Sequence, residues 1–245
     1  MPYQAAIQRS DPTAFLFLVD QSGSMGDRMA STEKTKAQFV ADVLNRTLMN
    51  LVTRCTKAEG VRDYFHIGVI GYGASGANNA FQGPLSTQVL SPISAIEANP
   101  VRVEDRKRKV DDGAGGLVEQ SIKFPVWFEP LSSGGTPMCA AITRAGAELT
   151  AWCDAHQASY PPTVLHVTDG ESSDGDPEQL ANTLRQFHTD DGNVLLLNLH
   201  VSSQAGNPAR FPSTDTGLRT NMPSFYFACP ANYLSTSSRL PKRKT

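Results

Sequence analysis

The sequence predicts an α/β fold in which a doubly wound, mostly parallel central sheet carries helices on both faces, with one hairpin-like insertion. Short apolar runs typical of buried parallel strands alternate with segments that repeat apolar residues every three or four positions. Two of these runs lead directly into an Asp followed by a polar turn, as strands do where they leave a parallel sheet. With 245 residues, the chain can bury one such core without disulfide cross-links.

The first half of the chain predicts two strands with a helix between them. Residues 14–19 (AFLFLV) form an apolar run that ends at Asp20 and continues into the turn sequence QSGSMG. Residues 32–55 place their apolar side chains on one helical face, which predicts a helix packed against the sheet. Residues 64–72 (YFHIGVIGY) predict a second buried strand, and the Gly and Asn content of residues 73–83 predicts a loop.

The stretch between about residues 100 and 128 predicts a hairpin-like insertion. A charged run at residues 104–109 leads through DDGAGG into a segment in which apolar residues alternate with others. Charged side chains are typical of an edge strand because they prevent unwanted pairing with other chains. We therefore expect a solvated hairpin, with a partner-binding arm as the alternative.

The second half of the chain predicts further strands and helices in alternation. Pro137 is a favourable first helical residue, and Thr136 before it is a candidate N-cap. A helix is also expected from Asp176 and Pro177 to about His188. The remaining strands are predicted at residues 163–168, 194–201 and 224–228.

Composition and domain organisation exclude several classes of protein. The N-terminus lacks an apolar segment long enough for a signal peptide or a membrane span, and a net charge of −2 gives no drive towards nucleic acid. We therefore expect a cytoplasmic protein with neither a membrane nor a nucleic acid as partner. The cysteines form no CxxC pair, which argues against a zinc site or a disulfide framework. The predicted organisation is an N-terminal arm at 1–12, one domain at 13–230 and a basic tail at 231–245.

Polar residues follow the predicted strands at three separate places. These places are the turn after the first strand (DQSGS), the SGGT segment before the central helix, and the TDGE segment after TVLHVT. Loops at the carboxyl ends of parallel strands meet at one edge of the sheet, so these side chains are expected to converge. Their oxygens suit a hard cation, Mg²⁺ first and Mn²⁺ or Ca²⁺ as alternatives, whereas zinc prefers nitrogen or sulfur. The candidate metal residues are the carboxylates Asp20 and Asp169 and the hydroxyls Ser22, Ser24 and Thr136, with Glu171 as a third carboxylate that the TDGE segment offers.

The motifs DxSxS, Gly-Gly-Thr and Thr-Asp-Gly, in this order, resemble the metal-ion-dependent adhesion site of von Willebrand factor A domains. The resemblance implies that Ser22 and Ser24 coordinate the metal directly and that Thr136 does so directly or through water. It implies that Asp20 and Asp169 act mainly through waters and hydrogen bonds. It also implies the Rossmann-like fold of that family, with one antiparallel edge strand.

Residues 127–145 (WFEPLSSGGTPMCAAITRA) are similar to the tellurite-resistance-type, stand-alone bacterial members of that family. This likeness implies an adaptor or scaffold, not an enzyme, in a stress-response or phage-conflict system. The implied partner is a protein that offers an Asp or Glu carboxylate, such as a PP2C-like phosphatase or a serine/threonine kinase. The alternatives are a metal-dependent hydrolase or phosphotransferase, and a structural assembly subunit.

Several other polar residues have simpler interpretations. The histidines at 66, 166 and 200 lie in predicted strands, and core positions are expected for them rather than metal or catalytic roles. Asp27 is expected to be a surface charge, and Glu171 is only a neighbour of the candidate ligands. The GASGA segment lacks the Lys of a phosphate-binding loop, which argues against nucleotide binding.

Overall fold

The computed structural model describes residues 3–29, 32–111 and 116–202. The main strands are β1 Thr13–Asp20, β2 Phe65–Gly73, β3 Gly76–Asn79, β4 Ser91–Pro92, β5 Arg102–Asp111, β6 Leu117–Val126, β7 Thr163–Thr168 and β8 Leu195–His200. The helices are α1 Lys36–Cys55, α2 Ile93–Ala98, α3 Met138–Ala155 and α4 Glu178–Leu184. Short two-residue ladders pair Thr56–Lys57 with Gly60–Val61, and His188–Thr189 with Gly192–Asn193.

The central sheet has six strands, with the order β8-β7-β1-β2-β3 and with β4 also paired to β2. Strands β8, β7, β1 and β2 are parallel, whereas β3 and β4 run antiparallel to β2. The predicted mostly parallel sheet is therefore confirmed. Because β1 lies between β2 and β7, its carboxyl end meets the turns that leave both neighbours.

Both faces of the sheet are covered, as predicted. The side chains of β1 alternate between the two faces, since successive residues of a strand point in opposite directions. Leu16 and Leu18 pack with α3 and α4, whereas Phe17 and Val19 pack with α1 and α2. The sheet thus separates two buried apolar layers.

The ends of the helices differ from the predicted ends at several places. Helix α1 begins with a capping box, because the Thr35 side chain accepts from the Gln38 N–H and the Gln38 side chain accepts from the Thr35 N–H. The prediction of Thr136 as N-cap of α3 is wrong. Pro137 occupies the cap position with a non-helical backbone, and the helix begins one residue later. Helix α4 ends at Leu184, before the predicted end, because residues 188–189 enter a short ladder.

The predicted loop at residues 73–83 contains an edge strand, so that prediction is wrong in part. Gly76 has φ +80, which permits a tight reversal of the chain after β2. The reversal pairs Tyr72 with Ala77 and Ile70 with Asn79 in an antiparallel ladder. The strand depends on backbone pairing with β2, and its Gly- and Asn-rich composition gives no sign of it.

The predicted hairpin-like insertion is confirmed as the antiparallel pair β5 and β6. Cross-strand ion pairs join Lys107 to Glu119 and Lys123 to Asp105 on its solvated side. Phe124 is buried, and the guanidinium of Arg106 lies 3.7 Å from the centroid of its ring. The hairpin is therefore attached to the body of the domain through one apolar face.

Some predictions lie outside the described residues. These are the last strand at 224–228, the domain end at 230 and the basic tail at 231–245. Among the described helices, none has both the length and the apolar character that crossing a membrane requires.

Candidate metal site

The three motif-bearing loops meet at the carboxyl edge of the sheet. The Ser133 N–H donates to the Gln21 carbonyl at 2.7 Å, and the Gly23 N–H donates to the Gly134 carbonyl at 2.9 Å. Gly134 has φ +76, and a Cβ atom there would lie 2.5 Å from the Cα of Ala74. The first Gly of the SGGT segment, Gly134, is therefore required by the close approach of the loops.

Asp20 joins the first loop to the end of β7. Its side chain is buried, and its Oδ1 accepts from the Ser22 N–H at 2.8 Å. Its Oδ2 accepts from the Thr168 hydroxyl, also at 2.8 Å. Burial raises the pKa of Asp20, and the hydrogen bonds from Ser22 and Thr168 oppose this rise. With both oxygens engaged by protein donors, Asp20 is suited to orient the loop rather than to coordinate a metal directly.

The hydroxyls of Ser22 and Ser24 form a pair. Their Oγ atoms are 3.1 Å apart, and the Ser24 hydroxyl donates to Asp169 Oδ1 at 2.8 Å. Two adjacent ligands of an octahedral Mg²⁺, with bonds of about 2.1 Å, lie about 3 Å from each other. The serine pair therefore has the spacing of two direct ligands. Because the Ser24 proton points to Asp169, Ser22 is the donor in the 3.1 Å hydrogen bond between the two serines, and one lone pair of the Ser24 hydroxyl remains for coordination.

Asp169 is buried between Ser24 and a lysine that the sequence did not single out. Its side chain is 1% exposed, and its Oδ2 accepts from Lys36 Nζ at 2.8 Å. Lys36 Nζ also lies 3.3 Å from both the Ser24 carbonyl and Asp27 Oδ2. Burial by itself would lower the pKa of Lys36, but the hydrogen bonds and charges of Asp169 and Asp27 outweigh it and raise that pKa.

Thr136 is positioned by the loop that follows β7. Its N–H donates to the Ser173 hydroxyl at 2.9 Å, and its carbonyl accepts from the Ser173 N–H at 2.9 Å. The Asp174 carboxylate accepts from the N–H groups of Cys139 and Ala140, both at 2.9 Å, and so caps α3. These contacts hold the Thr136 loop against the loop that carries Asp169.

The structure thus brings four of the five predicted residues into one hydrogen-bonded chain, whereas the fifth, Thr136, is attached by its backbone to Ser173 on the loop that follows β7. Asp27 has a side chain that is 63% exposed, yet it reaches Lys36, and Glu171 is exposed. One signal for Lys36 was present in the sequence: a lysine in the first turn of a helix is unfavourable, because the N-terminal end carries partial positive charge. The positions that sequence reasoning missed are Lys36, Ser173 and Asp174, whereas Thr168 lies in the predicted TDGE segment but was not among the candidate metal residues.

The donor set of this site consists of hydroxyl and carboxylate oxygens. Within residues 3–29, 32–111 and 116–202, no group of three or more His, Cys, Asp and Glu side chains is placed to hold a metal. A hard, oxygen-preferring cation therefore fits the site, and a zinc ion does not.

The predicted core histidines have different environments. The ring of His166 is fully buried, with Nε2 2.7 Å from the Tyr72 hydroxyl and Nδ1 3.0 Å from Asn198 Oδ1. Burial lowers the pKa of His166 to about 4, so the ring is neutral near pH 7. His66 is half-buried and its Nδ1 accepts from Trp152 at 2.9 Å. The core prediction is wrong for His200, which is exposed at the carboxyl end of β8.

No protein-family model matches the chain, and no curated protein matches its sequence. Among solved structures, it is similar to the pilus adhesin SpaC from Lactobacillus rhamnosus GG, with 18% identity, a TM-score of 0.38 and coverage of 66% of this chain. It is also similar to proximal thread matrix protein 1 from the mussel byssus, with 16% identity, a TM-score of 0.42 and coverage of 77%. A third similar structure is the SpRpn10 VWA domain, with 11% identity, a TM-score of 0.39 and coverage of 78% of each chain. The chain spans 16% of SpaC and 38% of the byssus protein.

Proposed function

We propose that this chain is a protein-binding module of the von Willebrand factor A type, in which a divalent cation mediates contact with an acidic residue of a partner. Mg²⁺ is the proposed ion, with Mn²⁺ and Ca²⁺ as alternatives. The observation that carries the proposal is the serine pair, whose hydroxyl oxygens lie 3.1 Å apart while one of them donates its proton to Asp169. This spacing suits two adjacent ligands of an octahedral ion.

Each predicted residue has a distinct part in this proposal. Ser22 and Ser24 are direct ligands, and Thr136 contributes its hydroxyl from the opposite loop. Asp20 and Asp169 orient the ligands, since their oxygens accept hydrogen bonds from Ser22, Thr168, Ser24 and Lys36. A bound ion supplies positive charge that neutral hydroxyl ligands do not cancel, and this charge attracts a carboxylate.

Binding is favoured over catalysis because both carboxylates of the site accept hydrogen bonds from the protein itself. A hydrolase needs a general base or a nucleophile that is free to exchange protons near the reacting atoms. Asp20 and Asp169 instead accept hydrogen bonds on both oxygens from protein donors. The Nε2 atom of the buried His166 lies within hydrogen-bonding distance of Tyr72, so this histidine is also engaged. We therefore propose a module that is not an enzyme.

The proposed setting is the bacterial cytoplasm, in a stress-response or phage-conflict system. What supports this setting is the similarity of residues 127–145 to stand-alone members of the family. The proposed partners are a PP2C-like phosphatase or a serine/threonine kinase that presents an Asp or Glu. Neither a nucleic acid nor a membrane is part of the proposal.

Metal binding is tested by titrating Mn²⁺ and measuring the free ion by electron paramagnetic resonance. We expect Ser22→Ala and Ser24→Ala each to weaken Mn²⁺ binding by roughly tenfold or more, since each removes a direct ligand. Ser86→Ala is the control, because Ser86 is exposed and donates to the Gly83 carbonyl away from the site. Equal Mn²⁺ affinity in all four proteins would contradict the proposal.

Partner binding is tested by capture from a lysate of the native host, with immobilised wild-type protein in Mg²⁺. A partner that depends on the site is lost with EDTA and with Ser24→Ala, and it is retained with Ser86→Ala. Capture that survives both EDTA and Ser24→Ala would show that the contact does not use the metal.

A further inference from the structure

The most unusual group at the site is a positively charged side chain where a cation is proposed to bind. The side chain of Lys36 is only 7% exposed, and the partner carboxylate of Asp169 is 1% exposed. Burying a lysine is costly unless its charge is paired. Lys36 is therefore a fixed part of the site, unlike a surface lysine such as Lys34, whose side chain is 51% exposed.

Lys36 shares the carboxylate of Asp169 with Ser24. One oxygen of Asp169 accepts from the Ser24 hydroxyl at 2.8 Å, and the other accepts from Lys36 Nζ at 2.8 Å. Direct coordination of a metal by Asp169 would have to use an oxygen that already accepts one of these two hydrogen bonds. The Lys36–Asp169–Ser24 chain of hydrogen bonds directs the Ser24 proton to the carboxylate and leaves one lone pair of the Ser24 hydroxyl for a metal.

We infer that Lys36 is a built-in cation of the metal site, one that weakens the binding of the metal and strengthens the binding of an acidic partner. This inference rests on the proposed function. With Asp20 and Asp169 ionised, the loaded site retains one net positive charge because of Lys36. A neutral side chain at position 36 leaves no net charge, so the metal is held more firmly and a carboxylate is attracted less.

The expected size of the effect rests on the contact between Lys36 and Asp169, which is itself hydrogen-bonded to the proposed ligand Ser24. A charge within about 4–6 Å of an ionisable group changes the equilibrium between its charged and neutral forms by roughly tenfold to a thousandfold, and we take this range as the guide for a bound ion. Lys36 Nζ is within hydrogen-bonding distance of Asp169, which in turn contacts the proposed ligand Ser24. Asp27 also lies 3.3 Å from Lys36 Nζ, but its side chain is 63% exposed and is screened by water. We therefore expect changes of at least roughly tenfold, in opposite directions for metal and carboxylate.

A purely structural lysine predicts a different pattern. If Lys36 only held Asp169 in place, its removal would disorder Ser24 and weaken metal binding and carboxylate binding together. The opposite signs of the two effects therefore distinguish an electrostatic role from a structural one.

The experiment compares wild type with Lys36→Met, Lys36→Gln and the control Lys34→Met. Mn²⁺ affinity is measured by electron paramagnetic resonance of the free ion. Acetate, as the carboxylate probe, is titrated into the Mn²⁺-loaded protein while the relaxation of water protons is followed, because acetate displaces coordinated water. We expect both Lys36 variants to bind Mn²⁺ roughly tenfold more tightly and acetate roughly tenfold more weakly. Lys34→Met, which removes an equal charge from a half-exposed lysine paired with Asp42, changes neither affinity.

Lys36→Gln retains an N–H donor for Asp169, so it serves if Lys36→Met does not fold by circular dichroism. Unchanged affinities, or two affinities that fall together in the folded variants, overturn the inference and leave the proposed function intact. Failure of wild type to bind Mn²⁺, or equal binding by wild type and Ser22→Ala, overturns the proposed function itself.

Discussion

The Thr168 hydroxyl donates a hydrogen bond of 2.8 Å to Asp20, across the boundary between strands β7 and β1. Both side chains are buried, and Asp20 also accepts from the Ser22 N–H. The threonine therefore connects the loop that carries the serine pair to the loop that carries Asp169. Because Thr168 immediately precedes Asp169 in the chain, its hydrogen bond to Asp20 fixes the first loop relative to the loop that carries Asp169.

Removing that hydroxyl is expected to destabilise the protein and to weaken Mn²⁺ binding. Thr168→Val preserves the shape of the side chain but leaves the buried Asp20 with one donor fewer, at a cost of about 1–3 kcal/mol. The measurement is urea unfolding, followed by an Mn²⁺ titration of the folded variant. Thr189→Val is a matched control, since Thr189 is buried and its hydroxyl has no hydrogen-bond partner in the described structure. A smaller loss for Thr168→Val than for Thr189→Val would contradict this account of Asp20.

Asp174 is expected to stabilise the start of α3 and thereby the loop that carries Thr136. Its carboxylate accepts from two N–H groups of the first turn, so Asp174→Ala should cost roughly 1 kcal/mol. Asp176→Ala is the control, because Asp176 accepts from one N–H group, that of Glu178 at the start of the short helix α4, among the residues that the structure describes. Denaturant unfolding measures the free energy of unfolding of both variants. An equal loss of stability in Asp176→Ala and Asp174→Ala would contradict this role of Asp174.

The same carboxylate gives a pH dependence with a defined sign. Burial by itself would raise the pKa of Asp174, but the N–H donors of Cys139 and Ala140 lower it below its ordinary value of 3.8. A lowered folded pKa means that the stabilisation is present above about pH 4 and disappears as the pH falls further. The free energy of unfolding should therefore decrease less between pH 5 and pH 3 for Asp174→Ala than for wild type. Equal losses would exclude this contribution.

His166 is expected to make the protein less stable in mild acid. Its pKa is lowered from 6.5 to about 4 by burial, so the unfolded chain takes up a proton that the folded chain excludes. Stability should therefore fall between pH 6.5 and pH 4, by on the order of 3 kcal/mol at most. His166→Gln should flatten this dependence, whereas His188→Gln should not, because His188 is exposed. Parallel pH profiles for wild type and His166→Gln would disprove the assignment.

Asn45 is expected to be the main polar attachment of the hairpin. Its buried amide accepts from the N–H groups of Trp127 and Phe128 at 2.8 and 3.0 Å, and it donates to the Phe128 and Ala41 carbonyls. Asn45→Ala leaves several buried backbone groups without partners, at a cost of about 2–4 kcal/mol. Thermal unfolding measures this cost, with Asn50→Ala on the exposed side of α1 as control. Hydrogen exchange should accelerate in β5 and β6, and unchanged exchange there would contradict the role of Asn45.

The main elements and most of the site could be predicted because they depend on local patterns. The strand at residues 163–168 was predicted with its observed bounds, since an apolar run followed by a polar turn is visible in the sequence alone. Asp20, Ser22, Ser24 and Asp169 come together because they lie at or just after the carboxyl ends of neighbouring strands of the same parallel sheet. Their use as metal ligands remains a prediction.

Other features could not be predicted from local composition, because contacts formed on folding decide them. The edge strand Gly76–Asn79 exists through its pairing with β2, and its composition resembles that of a loop. Thr136 was expected to cap α3, but the cap donors bind Asp174, which lies on another loop. A cap that comes from elsewhere in the fold has no signature at the helix start itself.

Local chemistry along the chain determined the α/β class, the central strands and the three polar turns, since hydrophobic period and turn residues act over a few positions. Only the tertiary structure decided that Lys36 is buried against Asp169, 133 positions away in the chain. The physical reason is that a buried charge needs an opposite charge close in space, and packing of α1 against the sheet edge sets which residue provides it.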